Sequence, residues 1–213
     1  MDFVSEEIEK YCIDHSDVEG DLLQHINRET HAKVMMPRML SGHLQGLFLQ
    51  FVSNMIKPLN VLEIGTYTGY SAICLCAGIQ QNGKLITIDK NEELQERVQT
   101  FFNKSNFKNT IDYRIGDALK LIPPIDLMFD LVFIDADKIN NSSYFDLVFD
   151  KVNVGGFILA DNVLWSGKIL DTKKDKDTVA IDSFNKKIVN DKRVEKMILP
   201  LRDGLTLIRK IKN

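Results

Sequence analysis

Short apolar runs alternate with amphipathic stretches through most of this chain. Runs with strand composition lie at 61–64, 85–89, 111–115, 131–135 and 157–161, and stretches with helical periodicity lie between them, at 70–77, 92–105, near Leu119 and at 144–151. Several of the runs are apolar throughout rather than at every second position, which is the pattern of strands covered on both faces. The alternation predicts an α/β fold with a doubly wound, Rossmann-like sheet and helices on both faces. Before it, 3–15 and 18–33 read as amphipathic helices, and 41–56 as a helix packing Leu44, Leu47, Phe48, Phe51, Val52 and Met55 on one face, with Ser41 placed as its N-cap. After it, 178–189 is helical, and runs at 194–199 and 205–210 flank Pro200-Leu201-Arg202-Asp203-Gly204, which suits an antiparallel hairpin. The polar loop at 165–177, ending in Lys173-Lys174-Asp175-Lys176-Asp177, reads as a solvated charge run, with a substrate-facing lid as the second reading. A single domain at 1–213 is expected, with an N-terminal helical cap at 1–57 and the α/β core at 58–213.

Composition narrows the class. The chain has 213 residues, 44% hydrophobic and 27% charged, with a net charge of −3, so nothing in its overall balance draws it to nucleic acid or anionic membrane. No apolar run has the length of a membrane span, and the acidic start, Met1-Asp2-Phe3-Val4-Ser5-Glu6-Glu7, lacks the order of a signal peptide. Cys12, Cys74 and Cys76 are an odd number and read as reduced core residues of a cytoplasmic protein. His15, His25, His31 and His43 lack metal-ligand spacing and read as surface or packing residues.

The chemistry gathers at the ends of the strands. Val61-Leu62-Glu63-Ile64-Gly65-Thr66-Tyr67-Thr68-Gly69-Tyr70-Ser71 passes from strand through a glycine turn into a helix, a place where backbone N–H groups can face a ligand. Tyr67 and Tyr70 stand where a dinucleotide fingerprint would need glycine, and no Gly-Lys-Ser/Thr follows as in a P-loop. Asp89, at the tip of the next strand, is placed to accept from a ribose diol or to cap the following helix, and Asp117-Ala118 could receive an adenine edge. Phe133-Ile134-Asp135-Ala136-Asp137-Lys138 and Leu159-Ala160-Asp161-Asn162 end two further strands. If those strands are neighbours, Asp135, Asp161 and Asn162 share one mouth, where oxygen donors without Cys or His suit a hard cation such as Mg²⁺ or Ca²⁺. A hydrogen-bonded carboxylate pair without metal is the alternative. Lys138 is the candidate base or substrate clamp, although a lysine among carboxylates ordinarily keeps its proton.

With these residues in place, the chain resembles a class I S-adenosylmethionine-dependent methyltransferase of the cation-dependent O-methyltransferase family that includes caffeoyl-CoA and catechol O-methyltransferases. The resemblance runs from about Arg38 to the C-terminus and is most specific at Glu63–Ser71, Phe133–Lys138 and Asp161-Asn162-Val163-Leu164-Trp165-Ser166-Gly167. It implies that Ser41, Glu63, Gly65, Thr66, Ser71, Asp89, Ala118, Asp135 and Asp137 line the S-adenosylmethionine site, and that Asp135, Asp161 and Asn162 ligate a divalent cation, Mg²⁺ first and Ca²⁺ or Mn²⁺ next. It gives Lys138 as general base, a sheet of six parallel strands and one reversed, and a homodimer. The implied reaction moves a sulfonium methyl to a hydroxyl of a small, catechol-like acceptor. Two departures point away from caffeoyl-CoA itself. Ile139-Asn140-Asn141-Ser142-Ser143-Tyr144 replaces the usual Asn-Tyr after the aspartate-lysine motif, and Ser166 stands where plant members have asparagine. Two other readings stay open: a tRNA wobble-uridine O-methyltransferase of the same family, using a patch of Arg28, Lys33, Arg38 and the 173–176 lysines, and a nucleotide-binding module without catalysis.

Overall fold

The computed structural model describes residues 4–213, so Phe3, the first residue of the expected 3–15 helix, lies outside the described part. Helices α1 (Glu6–Asp14), α2 (Asp21–Lys33) and α3 (His43–Ile56) precede the alternating core. That core runs β1 (Asn60–Ile64), α4 (Tyr70–Leu75), β2 (Lys84–Asp89), α5 (Gln95–Lys104), β3 (Ile111–Ile115), α6 (Ala118–Leu121), β4 (Phe129–Ile134), α7 (Asn141–Phe149) and β5 (Val152–Asp161). It closes with α8 (Lys176–Asn190), β6 (Val194–Leu199) and β7 (Leu205–Lys210).

All seven strands form one sheet in the order β3-β2-β1-β4-β5-β7-β6. The pairs β1–β2, β2–β3, β1–β4 and β4–β5 are parallel, and β7 runs antiparallel to both β5 and β6, so it is the one reversed strand. The chain winds outward from β1 to β3 and then resumes on the other side at β4. That reversal leaves a crevice at the carboxyl ends of β1 and β4. Alternate side chains of each strand feed two cores. Leu62, Ile64, Ile86, Val132, Ile134 and Ile158 pack with α7 and α8, while Val61, Leu85, Leu131, Phe133 and Leu159 pack under α2, α3, α4 and α5.

The third helix departs from expectation. Its buried side is Gln45, Gly46, Leu49, Val52 and Ser53, whereas Leu44, Leu47 and Phe48 are half-buried and Phe51 and Met55 are 58% and 73% exposed. The reason is close packing: α3 lies so near α4 that a Cβ on Gly46 would strike the Tyr70 ring, and Gly78 abuts the Ser53 backbone. The Ser53 hydroxyl donates to the Leu75 carbonyl at 2.6 Å and accepts from the Gly78 N–H at 3.1 Å. Small and polar residues therefore share the inner face with Leu49 and Val52, and only the Phe51 and Met55 end of the expected stripe points outward. Nor is Ser41 the N-cap; Gly42, at φ +76°, occupies that position without a side-chain hydrogen bond.

Smaller corrections follow from burial. Cys74 and Cys76 are free and buried as expected, but Cys12 is exposed on α1, which buries none of its residues. Strand β5 begins well before 157, because Val152 pairs with Phe129 across a register shift. The 165–177 loop is partly ordered by charge: Lys174 pairs with Asp182 at 2.6 Å, and Asp175 caps α8 by accepting from the Thr178 N–H at 2.8 Å. No helix among the described residues is long and apolar enough to cross a membrane.

Candidate active site

A cleft of about 1900 Å³ opens over the carboxyl ends of β1, β2, β4 and β5. Its floor is the turn after β1. Gly65 sits at φ +102°, and a side chain there would overlap the Asp135 carbonyl, so glycine is required by the contact between the β1 and β4 ends as well as by conformation. Its N–H donates to the Ile88 carbonyl at 2.9 Å, and the Asp135 N–H donates to the Ile64 carbonyl at 2.8 Å, which extends the parallel ladder into the turn. Asp89 closes the other side: one carboxylate oxygen accepts from the Tyr67 N–H at 2.7 Å and the other from the Asn91 N–H at 2.9 Å. It both caps its own turn and retains lone pairs for a ligand. Tyr67, at φ +49°, donates its hydroxyl to the carbonyls of Met35 and Met36 and so ties the segment before α3 over the cleft.

Glu63 lies behind this floor. It is fully buried, with Ser71 donating to one oxygen at 2.6 Å and Thr87 donating to the other, while Thr87 also pairs with Thr66 at 2.6 Å. Burial above all raises its pKa to about 8; the Ser71 and Thr87 hydroxyls oppose the shift, and Asp135 and Asp89 add to it. Glu63, Thr66 and Ser71 thus form one hydrogen-bonded set that holds the turn from within.

The second half of the site joins β4 and β5. Phe133 and Leu159 are register partners, as are Ile134 and Ala160, so Asp135 and Asp161 emerge side by side. Lys138 donates to Asp135 at 2.9 Å. Asp161 is buried and accepts from Gln45 at 2.7 Å and from the Asn162 N–H at 2.8 Å. Burial raises its pKa first and Asp135 second, with Lys138 and Gln45 acting in the opposite sense. Asn162 adopts φ +60°, a conformation that asparagine tolerates better than most residues. The terminal hairpin fixes this loop, since the N–H groups of Val163 and Leu164 donate to the carbonyls of Gly204 and Asp203 at 3.0 and 2.9 Å. Asp137 accepts from Tyr144 at 2.6 Å and from Asn140. Burial works against its ionisation, but these two donors and Lys90 outweigh it and hold the carboxyl below its usual range.

Gly65, Asp89, Ala118, Asp135, Asp137, Lys138, Asp161 and Asn162 all line the cleft. Ser41 lies in a smaller cavity of about 170 Å³ beside it, shared with Gln45 and Arg202. Glu63, Thr66 and Ser71 are behind the wall. Sequence reasoning missed Gln45, Tyr144, Asn140 and Arg202. For Asn140 and Tyr144 a signal existed, because both follow Asp137 at helical spacing; for Gln45 and Arg202, which meet across the fold, none did. Oxygen donors from two carboxylates and an amide, one carboxylate already countered by lysine, fit a single hard divalent cation. Acidic groups at successive strand ends and a floor of bare backbone fit a cationic nucleoside better than a pyrophosphate.

A family model described as O-methyltransferase matches residues 13–211. A probable caffeoyl-CoA O-methyltransferase of Dictyostelium discoideum is 31% identical over 94% of this chain and 90% of its own length. The caffeoyl-CoA O-methyltransferase of Medicago sativa is 35% identical over 87% of this chain and 80% of its own. Among solved structures, an O-methyltransferase from Bacillus cereus in complex with SAH superposes with a TM-score of 0.88 at 28% identity, covering 96% of this chain and 97% of that one. The chain belongs to this O-methyltransferase family. It is a class I enzyme that takes the methyl group from S-adenosylmethionine.

Proposed function

We propose that this enzyme is a divalent-cation-dependent O-methyltransferase whose acceptor is a small, catechol-like molecule. The observation that carries the reading is the meeting of Asp135, Asp161 and Asn162 at the ends of two paired strands, with Lys138 against one of the carboxylates. S-adenosylmethionine supplies an electrophilic methyl group, and a bound cation would supply positive charge that eases ionisation of the acceptor hydroxyl. Asp135, Asp161 and Asn162 would hold that cation, Mg²⁺ first and Ca²⁺ or Mn²⁺ next. Gly65, Asp89, Ala118, Asp135 and Asp137 face the cofactor, while Glu63, Thr66 and Ser71 keep the turn in shape and Ser41 closes the edge. Lys138, paired with Asp135 at 2.9 Å, would screen the proton leaving the acceptor, or take it once substrate or cation disturbs that pairing. Vicinal hydroxyls would suit such a site, since a hard cation held by Asp135, Asp161 and Asn162 would favour an acceptor rich in oxygen donors. The names of the Medicago and Dictyostelium relatives support a phenolic acceptor. Buried, free Cys74 and Cys76 suit a reducing compartment such as the cytoplasm.

The test is methyl transfer from labelled S-adenosylmethionine to a panel of vicinal diphenols, matched monophenols and bulk unmethylated tRNA. Label in diphenols above monophenols and tRNA is the expected result. Label in tRNA alone overturns the small-acceptor reading; Lys33 and Lys174, from the basic groups that a tRNA would need, are each already paired with a carboxylate.

The outward stripe of α3, with Phe51 and Met55 exposed, supports a homodimer, since a large exposed apolar patch marks an interaction surface. Light scattering after size exclusion should give twice the mass of one chain for the wild type and the mass of one chain for Phe51→Glu. A monomeric wild type would contradict the dimer.

A further inference from the structure

Gln45 is a polar residue on the inner face of α3 with 1% of its surface exposed, a placement that costs free energy unless both ends of its amide are satisfied. Both ends are. The nitrogen donates to Asp161 Oδ2 at 2.7 Å, and the oxygen accepts from Arg202 Nη1 at 3.4 Å. Arginine can only donate and an ionised carboxylate can only accept, so the two neighbours together permit one orientation of the amide. Inverted, it would set oxygen against carboxylate and N–H₂ against guanidinium. Arg202 is itself held in place: Nη1 also donates to the carbonyls of Leu40, at 2.7 Å, and Ser41, and Nη2 donates to Arg38 O at 3.3 Å.

We propose that Gln45 is a positioning residue for Asp161, and that Arg202 fixes which end of the Gln45 amide faces that carboxylate. The Asp161 carboxylate is then gripped at both oxygens, by Gln45 at Oδ2 and by the Asn162 N–H at Oδ1, and its remaining lone pairs are presented in a fixed direction. The helix before the sheet and the turn of the terminal hairpin thereby set the geometry of a strand-end ligand to which neither belongs. The inference rests on the cation reading above.

The experiment measures Mn²⁺ binding directly, by electron paramagnetic resonance of the free ion, in protein saturated with S-adenosylhomocysteine. S-adenosylhomocysteine affinity is measured separately in each variant. Gln45→Met keeps the volume of the side chain and removes the donor. It should weaken Mn²⁺ binding about tenfold or more, as loss of a partner to a metal ligand commonly does, without changing S-adenosylhomocysteine affinity. Arg202→Met leaves the amide free to turn and should give a smaller loss in the same direction. If the wild type binds no Mn²⁺, the cation reading falls and this inference with it. If the wild type binds Mn²⁺ and Gln45→Met binds it equally well, only this inference falls. Should Gln45→Met fail to bind S-adenosylhomocysteine through misfolding, unchanged Mn²⁺ affinity in Arg202→Met overturns the inference instead.

Discussion

Replacing Asp161 with alanine should reduce methyl transfer on the order of a thousandfold or more while leaving S-adenosylmethionine binding nearly intact. The magnitude follows from the several kcal/mol that a cation can contribute at a developing charge, with each 1.4 kcal/mol of barrier worth about a factor of ten. The separation of the two effects follows from position. Asp161 ends β5, whereas the turn after β1 and the Asp89 carboxylate, proposed to face the cofactor, belong to other strands. The substitution also leaves the Gln45 N–H₂ without its acceptor, at a cost of about 1–3 kcal/mol in stability, so the variant should be assayed well below its unfolding temperature. Single-turnover assays and calorimetric titration with S-adenosylhomocysteine on the same preparation separate transfer from binding. Wild-type turnover in the variant would remove Asp161 from the chemistry.

The second large effect concerns Glu63 and pH. Its pKa in the folded protein lies near 8, against an ordinary value of 4.5, chiefly because burial disfavours the charge. A raised carboxyl means that, between those two values, the folded state holds a proton that the unfolded chain has released. Stability is therefore greatest below the unfolded pKa and falls as pH rises, by about 1.4 kcal/mol per unit, until the folded group ionises. Glu63→Gln has no such proton to lose, and its amide can still meet the Ser71 and Thr87 hydroxyls. Urea unfolding at pH 5.5 and 8.5 should show the variant gaining about 3 kcal/mol relative to wild type between the two conditions. Parallel stability profiles would show that Glu63 is already ionised in the fold.

What was legible in the sequence divides along physical lines. The hairpin at Val194–Leu199 and Leu205–Lys210 could be read to the residue, because a turn of Pro200, Asp203 and Gly204 interrupts two strand-like runs. The parallel strands were legible as apolar runs, and the aspartates at their ends stood out because charge seldom terminates such a run without a task. Helix α3 was misread because the side that packs tightly against Tyr70 and Gly78 needs small residues, so the usual equation of apolar with inward fails there. Ser41 has the composition of a cap, but Gly42 holds that place because the chain needs an extended conformation with positive φ before α3. Glu63 was legible as important and illegible in kind, since only the fold reveals that Ser71 and Thr87 use both of its oxygens. Tyr144, which the sequence places downstream of the usual Asn-Tyr position, brings its hydroxyl to Asp137 from the first turn of α7. The Arg202–Gln45–Asp161 chain joins three distant segments and leaves no local trace.

The carboxylate pair at the ends of β4 and β5 should make methyl transfer depend on the cation. Transfer to a vicinal diphenol is measured after exhaustive chelation and again during stepwise return of Mg²⁺. Activity should vanish in chelator and return along a single saturation curve, with S-adenosylhomocysteine binding present throughout. Full activity in excess chelator would contradict that dependence.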